Sequence, residues 1–341
     1  MHAPHPNQDQ TTRSFCIEQA IRVVATLENS LKKIIRGRDD TIKLLLTALI
    51  ADGHALLEDY PGSGKTTLAK TLGNSIDCKA NFSSHETPFA QFRRVQFTPD
   101  LLPSDVLGVN VFEPKSATFR FQPGPVFAHI VLADEINRTG PKVQAAFLEC
   151  MAERQVSIDG TTYPLDELFF VIGTQNPLDF AGTYPLPQVQ LDRFLLKIPM
   201  RYVDANTELE ILQDAEQITD DARHVTAVVR REEILEARKA SEAVALIDPI
   251  LQTIVEIVQD SRKSPLVQFG ASTRAALMFK RALRAWAIVQ GRDYVSEDDV
   301  KTLTPFILRH RIRFHAGVGD QERAFWDLVS PALEKLISKR V

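Results

Sequence analysis

The stretch Ala55-Leu56-Leu57-Glu58-Asp59-Tyr60-Pro61-Gly62-Ser63-Gly64-Lys65-Thr66-Thr67-Leu68-Ala69 constrains this chain more than any other. An apolar run suited to a short buried strand enters a tight turn with two glycines, and a helix opens at Lys65-Thr66. Glycine lacks a Cβ, so the backbone there can wrap close to an anion. Several N–H groups then point inward, and the positive end of the helix dipole adds to them. Strand, glycine turn, Lys-Thr and helix in this order describe a phosphate-binding loop. Its nucleotide-contacting set is Pro61, Gly62, Ser63, Gly64, Lys65, Thr66 and Thr67. Lys65 would bridge the β- and γ-phosphates as a mobile point charge, and Thr66 would offer its hydroxyl to Mg2+. One position departs from the general pattern G-x-x-x-x-G-K-[ST], because Asp59 stands where the first glycine is expected.

A second apolar run, His129-Ile130-Val131-Leu132-Ala133-Asp134-Glu135, ends in two carboxylates. Such a run suits a buried parallel strand, and ligands sit at the carboxyl ends of strands in open α/β sheets. Asp134 at that end can hold Mg2+ through water beside the phosphate loop. Glu135, one residue further into the cleft, is the natural group to orient and deprotonate an attacking water. Asn176 follows the core strand Phe169–Thr174. It is either a turn residue before Pro177 or an amide that contacts the same water or the γ-phosphate. Arg193, in Leu191-Asp192-Arg193-Phe194, precedes the last core strand. It either pairs with Asp192 or another acid, or stabilises charge on a transferring phosphoryl group. Arg274, in Gly270-Ala271-Ser272-Thr273-Arg274, opens a later helix and could reach the γ-phosphate if the helical region folds over the nucleotide.

The organisation follows from periodicity. Residues 1–14 read as a frayed polar tail without the apolar stretch of a signal peptide. Residues 15–203 read as an α/β nucleotide-binding core, with helices over 16–36, 40–51, 65–74 and 141–153 and core strands over 54–58, 93–97, 129–135, 169–174 and 194–198. Pro99 to Leu107 reads as a turn and short helix. Two hairpins interrupt this core, one over Val109–Phe121 and one over Gln155–Pro164 on an Asp159-Gly160 turn. Residues 204–341 show no convincing core strand, and helical periodicity runs through 207–217, 231–242, 248–262, 272–290 and 296–308. The fold class expected is therefore α/β, a P-loop NTPase parallel sheet followed by an all-helical domain.

Composition closes off other classes. Forty basic against 44 acidic residues leave a net charge of −4, which gives no global electrostatic case for nucleic acid. The three cysteines, Cys16, Cys78 and Cys150, are scattered, which excludes a disulfide framework or a CxxC metal site and fits a reducing, cytoplasmic setting. The most apolar stretch, Leu44 to Leu57, is interrupted by Asp52, Gly53 and His54, so no membrane span is expected.

Taken together, Asp59–Thr67, Ala133-Asp134-Glu135-Ile136-Asn137-Arg138, Gly173-Thr174-Gln175-Asn176-Pro177, Gln190-Leu191-Asp192-Arg193-Phe194, Gly270–Arg274 and Leu308-Arg309-His310-Arg311-Ile312 resemble the MoxR-type AAA+ ATPases. The stretch Phe97-Thr98-Pro99-Asp100-Leu101-Leu102-Pro103 is also similar to that family. The likeness runs from about residue 17 to 315, and an acidic residue before the loop, such as Asp59, is common in the group. It implies that Lys65 and Thr66 are Walker A residues, Asp134 and Glu135 the Walker B pair, Asn176 sensor 1, Arg193 a trans-acting arginine finger and Arg274 sensor 2. Gly37 falls where the family's loop approaches adenine. The hairpins match the helix-2 insert and the pre-sensor hairpin. Thr273 stands where proline is usual before the sensor 2 arginine. The resemblance further implies ATP and Mg2+ as ligands, a homo-hexameric ring, and a chaperone role on a protein client, often one with a von Willebrand factor A domain carrying a metal-dependent adhesion site.

Two other readings compete. Related AAA+ proteins with similar inserts move DNA, yet the first hairpin carries only Lys115 and Arg120 against Glu113, too little positive charge for a DNA-tracking finger. A nucleotide-gated scaffold without useful hydrolysis would not need every catalytic position filled, as they are here.

Overall fold

A computed structural model describes residues 7–59, 62–78, 89–176 and 182–338. Pro61 of the phosphate loop, Pro177 and the first residues of the expected tail lie outside the described residues, as does the Asp59 side chain. Two helices come first, α1 (Asn7–Ile34) and α2 (Asp39–Ile50). Then β1 (Ala55–Asp59) leads through the phosphate loop into α3 (Lys65–Asn74) and the two-residue strand β2 (Ile76–Asp77). Next are β3 (Ala90–Gln96), α4 (Pro103–Leu107), a hairpin of β4 (Gly108–Glu113) and β5 (Thr118–Pro123), and β6 (Ala128–Asp134). A 3-10 turn (Ile136–Arg138) and α5 (Pro141–Glu153) precede the second hairpin, β7 (Gln155–Ile158) and β8 (Thr161–Pro164). The α/β region closes with β9 (Phe170–Gln175), α6 (Gln188–Leu191) and β10 (Leu196–Met200).

Five strands pair in the order β10-β1-β9-β6-β3, all parallel. Their side chains alternate between two buried faces. Ala55, Leu57, Ile130, Leu132, Phe170 and Ile172 join one core with α1, α2 and α3. Leu56, Val131, Ala133, Phe169 and Val171 join the other, with Phe147 and Leu148 of α5. Burial on both faces explains why these strands read as continuous apolar runs in the sequence.

The helical region consists of α7 (Ala205–Gln213), α8 (Ala215–Arg223), β11 (Val229–Arg230), α9 (Arg231–Ser241), α10 (Asp248–Lys263), β12 (Val267–Phe269), α11 (Thr273–Val289), α12 (Glu297–Leu308), β13 (Arg313–Phe314) and α13 (Gln321–Ser338). Three points differ from the sequence expectation. Helix α1 begins at Asn7, inside the span expected to be a frayed tail. The helix expected over 207–217 is split, because Asp214 both ends α7 and starts α8. Helix α13 was not expected; Pro331 interrupts its pattern, and it forms by burying Phe325, Val329, Leu333 and Leu336 in the core shared with α10. The Ser296 start is a capping box with Asp299, as the spacing suggests.

The two regions share one apolar core, which runs from Leu27 through Leu57 to Phe279 and Leu333. Strand β11 pairs in parallel with β2, and α1 packs on α8, α9 and α11. Among the described residues no helix is long and apolar enough to cross a membrane.

A buried histidine makes this core acid-sensitive. The Val171 N–H donates to His54 Nδ1 at 3.1 Å, and His54 Nε2 donates to the Met151 carbonyl at 3.2 Å. Burial pushes the imidazole down to about 4, with nearby Arg154 and Arg238 acting the same way against Asp52 and the Met151 bond. The folded chain therefore binds fewer protons than the unfolded chain between pH 6.5 and 4. Stability from this group is complete above the unfolded value and is lost as pH falls through that window. Denaturant midpoints measured across it should reveal a loss of roughly 3 kcal/mol from His54. A flat profile would show that the folded core accepts the proton freely.

Candidate functional site

The phosphate loop leaves the carboxyl end of β1. Gly62 and Gly64 adopt φ of 82° and 86°, and a Cβ at either would meet nothing within 4 Å. Left-handed backbone rather than crowding requires glycine here, and the space over the loop is open. Gly64 caps α3 without a side-chain hydrogen bond, so the first N–H groups of that helix are available to an anion. Ser63 Oγ is buried and has no partner among the described residues. Lys65, Thr66 and Thr67 are half-buried on the first turn of α3.

Asp134, 2% exposed, ends β6 beside this loop. Its Oδ1 lies 3.3 Å from Lys65 Nζ and accepts from Thr174 Oγ1 at 2.7 Å. Its Oδ2 accepts from Arg94 Nη2 at 2.7 Å and Nε at 3.1 Å. Burial alone would raise this carboxyl, but Thr174, Arg94 and Lys65 outweigh it and hold the group below the usual carboxylate range.

Glu135 occupies left-handed backbone at φ 57° and starts the 3-10 turn. For a residue with a Cβ this conformation is strained by about 1–2 kcal/mol, a cost often found at functional sites. The Glu135 N–H donates to Thr174 Oγ1 at 2.8 Å. Its carboxylate accepts from Gln96 Nε2 at 2.8 Å and lies 3.2 Å from Arg138 Nε. Thr174 thus ties both acids to β9, and Asn176 follows directly, half-buried at the end of that strand.

The motifs did not single out Arg94, Gln96, Arg138 or Thr174 as site residues. Thr174 and Arg138 lie inside quoted motifs beside residues that were named. Arg94 and Gln96 become site residues only through pairing, because the register sets Gln96 opposite Asp134.

The two arginines stand elsewhere. Strand β10 runs parallel to β1, with Ala55 opposite Leu196. Arg193 precedes β10, so it lies at the amino ends of the strands, while Lys65, Asp134 and Asn176 lie at the carboxyl ends. Asp192 is claimed by Arg311, at 2.6 Å, rather than by its neighbour. Arg193 Nη1 is buried without an acceptor among the described residues. Arg274 stands near the same end: Ser272, which caps α11, donates to Asp192 Oδ2 at 3.3 Å. Arg274 also lines a cleft of 780 Å³ together with Asp52, Arg154, Arg238, Arg281 and Arg284. The sequence put Arg274 in reach of the γ-phosphate only if the helical region folds over the nucleotide; here Arg274 stands on the side of the sheet away from the phosphate loop of its own chain. Packing of α11 on α2 and α10, within the shared core, holds Arg274 near the amino ends of the strands. The Ser272 cap starts α11 without the usual proline. Gly37, at φ 66°, packs against Val203 and Thr207, where a Cβ would come within 2.4 Å of Thr207 Cγ2.

Residues 54–196 match the family profile described as "ATPase family associated with various cellular activities (AAA)", and residues 259–325 match the AAA lid domain. With the sheet order and the loop geometry, this makes the chain an AAA-type P-loop ATPase. It is 38% identical to the chaperone MoxR1 of Mycobacterium tuberculosis over 85% of this chain and 76% of that protein. It is 44% identical to the uncharacterized Bacillus subtilis protein YeaC over 84% of this chain and 85% of that one. A crystal structure of a candidate ATPase from Cytophaga hutchinsonii superposes with a TM-score of 0.79 at 34% identity, covering 98% of both chains. The chain belongs to the MoxR family of AAA ATPases.

Proposed function

We propose that this chain is a Mg2+-dependent ATPase that assembles as a homo-hexameric ring and uses hydrolysis to remodel or mature a protein complex. The observation that carries this reading is the joined set Lys65, Asp134, Thr174 and Glu135 at the carboxyl ends of the central strands, beneath an open glycine loop. The donor set fits the ligands. Pro61 to Thr67 would hold the phosphates, with Lys65 on the β- and γ-oxygens, and Gly37 would flank adenine. Thr66 and, through water, Asp134 would hold Mg2+, which when bound neutralises charge on the phosphates. Lys65 and Arg94 neutralise Asp134 within the chain. Glu135 would orient and deprotonate the attacking water once it leaves Gln96 and Arg138, and Asn176 would position that water. Arg193 and Arg274, at the amino ends of the strands, would both serve the site of a neighbouring subunit. Such a head-to-tail contact closes into a ring.

A path from the site to the hairpins supports the coupling to a client. Gln144 of α5 donates to the carbonyls of Ile136 and Thr139, both at 3.2 Å, and to that of Tyr184 at 2.9 Å, so α5 follows the turn after Glu135. Helix α5 runs directly into the second hairpin. That hairpin holds the first one through Asn110 and Asp159 at 2.8 Å and through stacked Phe121 and Tyr163, 4.0 Å between ring centroids. The first hairpin exposes Phe112 and Phe119, 51% and 71% accessible, with ring centroids 5.4 Å apart. Exposed aromatics with few cations suit a polypeptide better than a polynucleotide. The chaperone description of MoxR1 points the same way. A partner with a von Willebrand factor A domain remains the proposed client class.

Glu135→Gln should bind ATP with unchanged affinity yet turn over about 100-fold more slowly, as expected for loss of a general base. In that trapped state it should retain a protein client, and Phe112→Ser with Phe119→Ser should release the client while ATP binding persists. Normal turnover by Glu135→Gln would refute Glu135 as the base. Hydrolysis stimulated by polynucleotide with a steep salt dependence would favour a nucleic-acid motor instead.

A further inference from the structure

The segment that carries Arg193 is held mainly from the helical region, by residues with no role in the site described above. Arg311, 2% exposed, follows α12. Its Nε donates to Asp192 Oδ1 at 2.6 Å. Its Nη2 donates to the Phe194 carbonyl at 2.5 Å and the Asp192 carbonyl at 3.3 Å, and its Nη1 to the Leu195 carbonyl at 3.1 Å. The guanidinium also reaches the Ile307 carbonyl and lies 3.0 Å from Met278 Sδ of α11. His310 donates from Nε2 to the Phe194 carbonyl at 3.1 Å, and its own carbonyl accepts from Gln188 Nε2 at 2.6 Å. Asp192 completes the junction by accepting from Ser272, the cap of the helix that carries Arg274.

An ion pair between the buried Arg311 and the half-buried Asp192 is a poor device for stability, since desolvation costs about as much as the attraction returns. It is a good device for geometry. A planar guanidinium with five donors fixes several acceptors at once, which a flexible ammonium cannot do. Here one guanidinium spans the Asp192 carboxylate and three backbone carbonyls around Arg193. Arg193 itself keeps a buried nitrogen without an acceptor among the described residues.

We propose that Arg311 is the positioning residue of the shared ATPase site, locking Arg193 of the α/β region and Arg274 of the helical region into one rigid pair offered to the neighbouring subunit. The proposal rests on the reading that Arg193 acts in trans. Arg311 lies by the amino ends of the strands, away from the phosphate loop of its own chain; it acts through the segment 192–195 and, by way of Asp192, through the α11 cap.

The test uses full-length chains. Arg311→Lys keeps the charge beside Asp192 but loses the fork. Its own phosphate loop is intact, so fluorescent ATP should bind within about twofold of the wild type and KM should hold, while kcat falls at least about tenfold, as a misplaced catalytic group requires. Mixed with Lys65→Ala subunits it should recover hydrolysis, because its loops then meet well-placed arginines. Mixed with Arg193→Ala subunits it should recover nothing, since neither supplies a placed finger. A general loss of structure would not give this asymmetry. Wild-type kcat in Arg311→Lys overturns the proposal. So does failure to recover with Lys65→Ala when Arg193→Ala does recover with the same partner. If Arg193→Ala also fails to recover, the shared-site reading itself falls. Should Arg311→Lys not fold, the isosteric Asp192→Asn removes the pair from the other side. It should show the same pattern, and full activity in that variant overturns the proposal equally.

Discussion

Lys65→Ala is expected to weaken ATP binding by at least about 100-fold, because charge-assisted contacts to two phosphates contribute about 1.5–3 kcal/mol each. The fold should survive. Asp134 keeps its bonds to Thr174 and to Arg94 when the ammonium is gone, so no buried carboxylate is stranded. Lys65 itself sits half-buried on the first turn of α3 and belongs to neither apolar core. Titration with a fluorescent ATP analogue, alongside a melting curve, separates the two effects. Unchanged affinity would place the nucleotide somewhere other than this loop.

The second large effect concerns the amino ends of the strands. Arg193→Ala should bind ATP normally and lose about 1,000-fold in hydrolysis, the usual scale for an arginine that stabilises charge on a transferring phosphoryl group. The proposed action of Arg193 on a neighbouring subunit makes the defect intermolecular. Strand β10 spans Leu196 to Met200. At about 3.3 Å per residue its two ends are about 13 Å apart, and Arg193 starts beyond the end remote from the loop. Equimolar Arg193→Ala and Lys65→Ala subunits should therefore regain hydrolysis that neither shows alone. A subunit with a sound loop then meets a neighbour with a sound arginine. If the mixture stays as inactive as its parts, the site is not shared.

The pH dependence argued for His54 differs in kind. It reads out the core rather than the nucleotide site, so it should appear equally in Lys65→Ala and Arg193→Ala chains. Comparing denaturant midpoints across the variants provides that control.

Much of the site was legible because its residues are adjacent in the chain. A glycine turn before Lys65-Thr66 and an Asp134-Glu135 pair after an apolar run carry their meaning locally. Backbone conformation and strand burial are set by those same few residues. The hairpins were equally local: Asp159-Gly160 takes up the two positive φ values that a tight two-residue turn demands. Arg94 and Gln96 were not legible as site residues. Their partners are about forty residues away, and only the β3–β6 register joins them. Helix α13 escaped for a similar reason, since Pro331 spoils its pattern and packing against α10 restores it.

By itself, then, the sequence determined a phosphate loop, a carboxylate pair and a parallel sheet buried on both faces. Each follows from short-range sterics and from continuous apolar runs along single strands. The tertiary structure alone decided where the arginines stand. Arg193 and Arg274 are 81 positions apart by their numbering, and no periodicity relates them. Parallel pairing of β10 with β1 puts Arg193 opposite the loop, and the packing of α11 on α2 brings Arg274 to that same end. A buried guanidinium, Arg311, then fastens the two regions through Asp192. Register and packing between remote segments are collective properties of the folded chain, and they bring two weak sequence signals together at the amino ends of the strands.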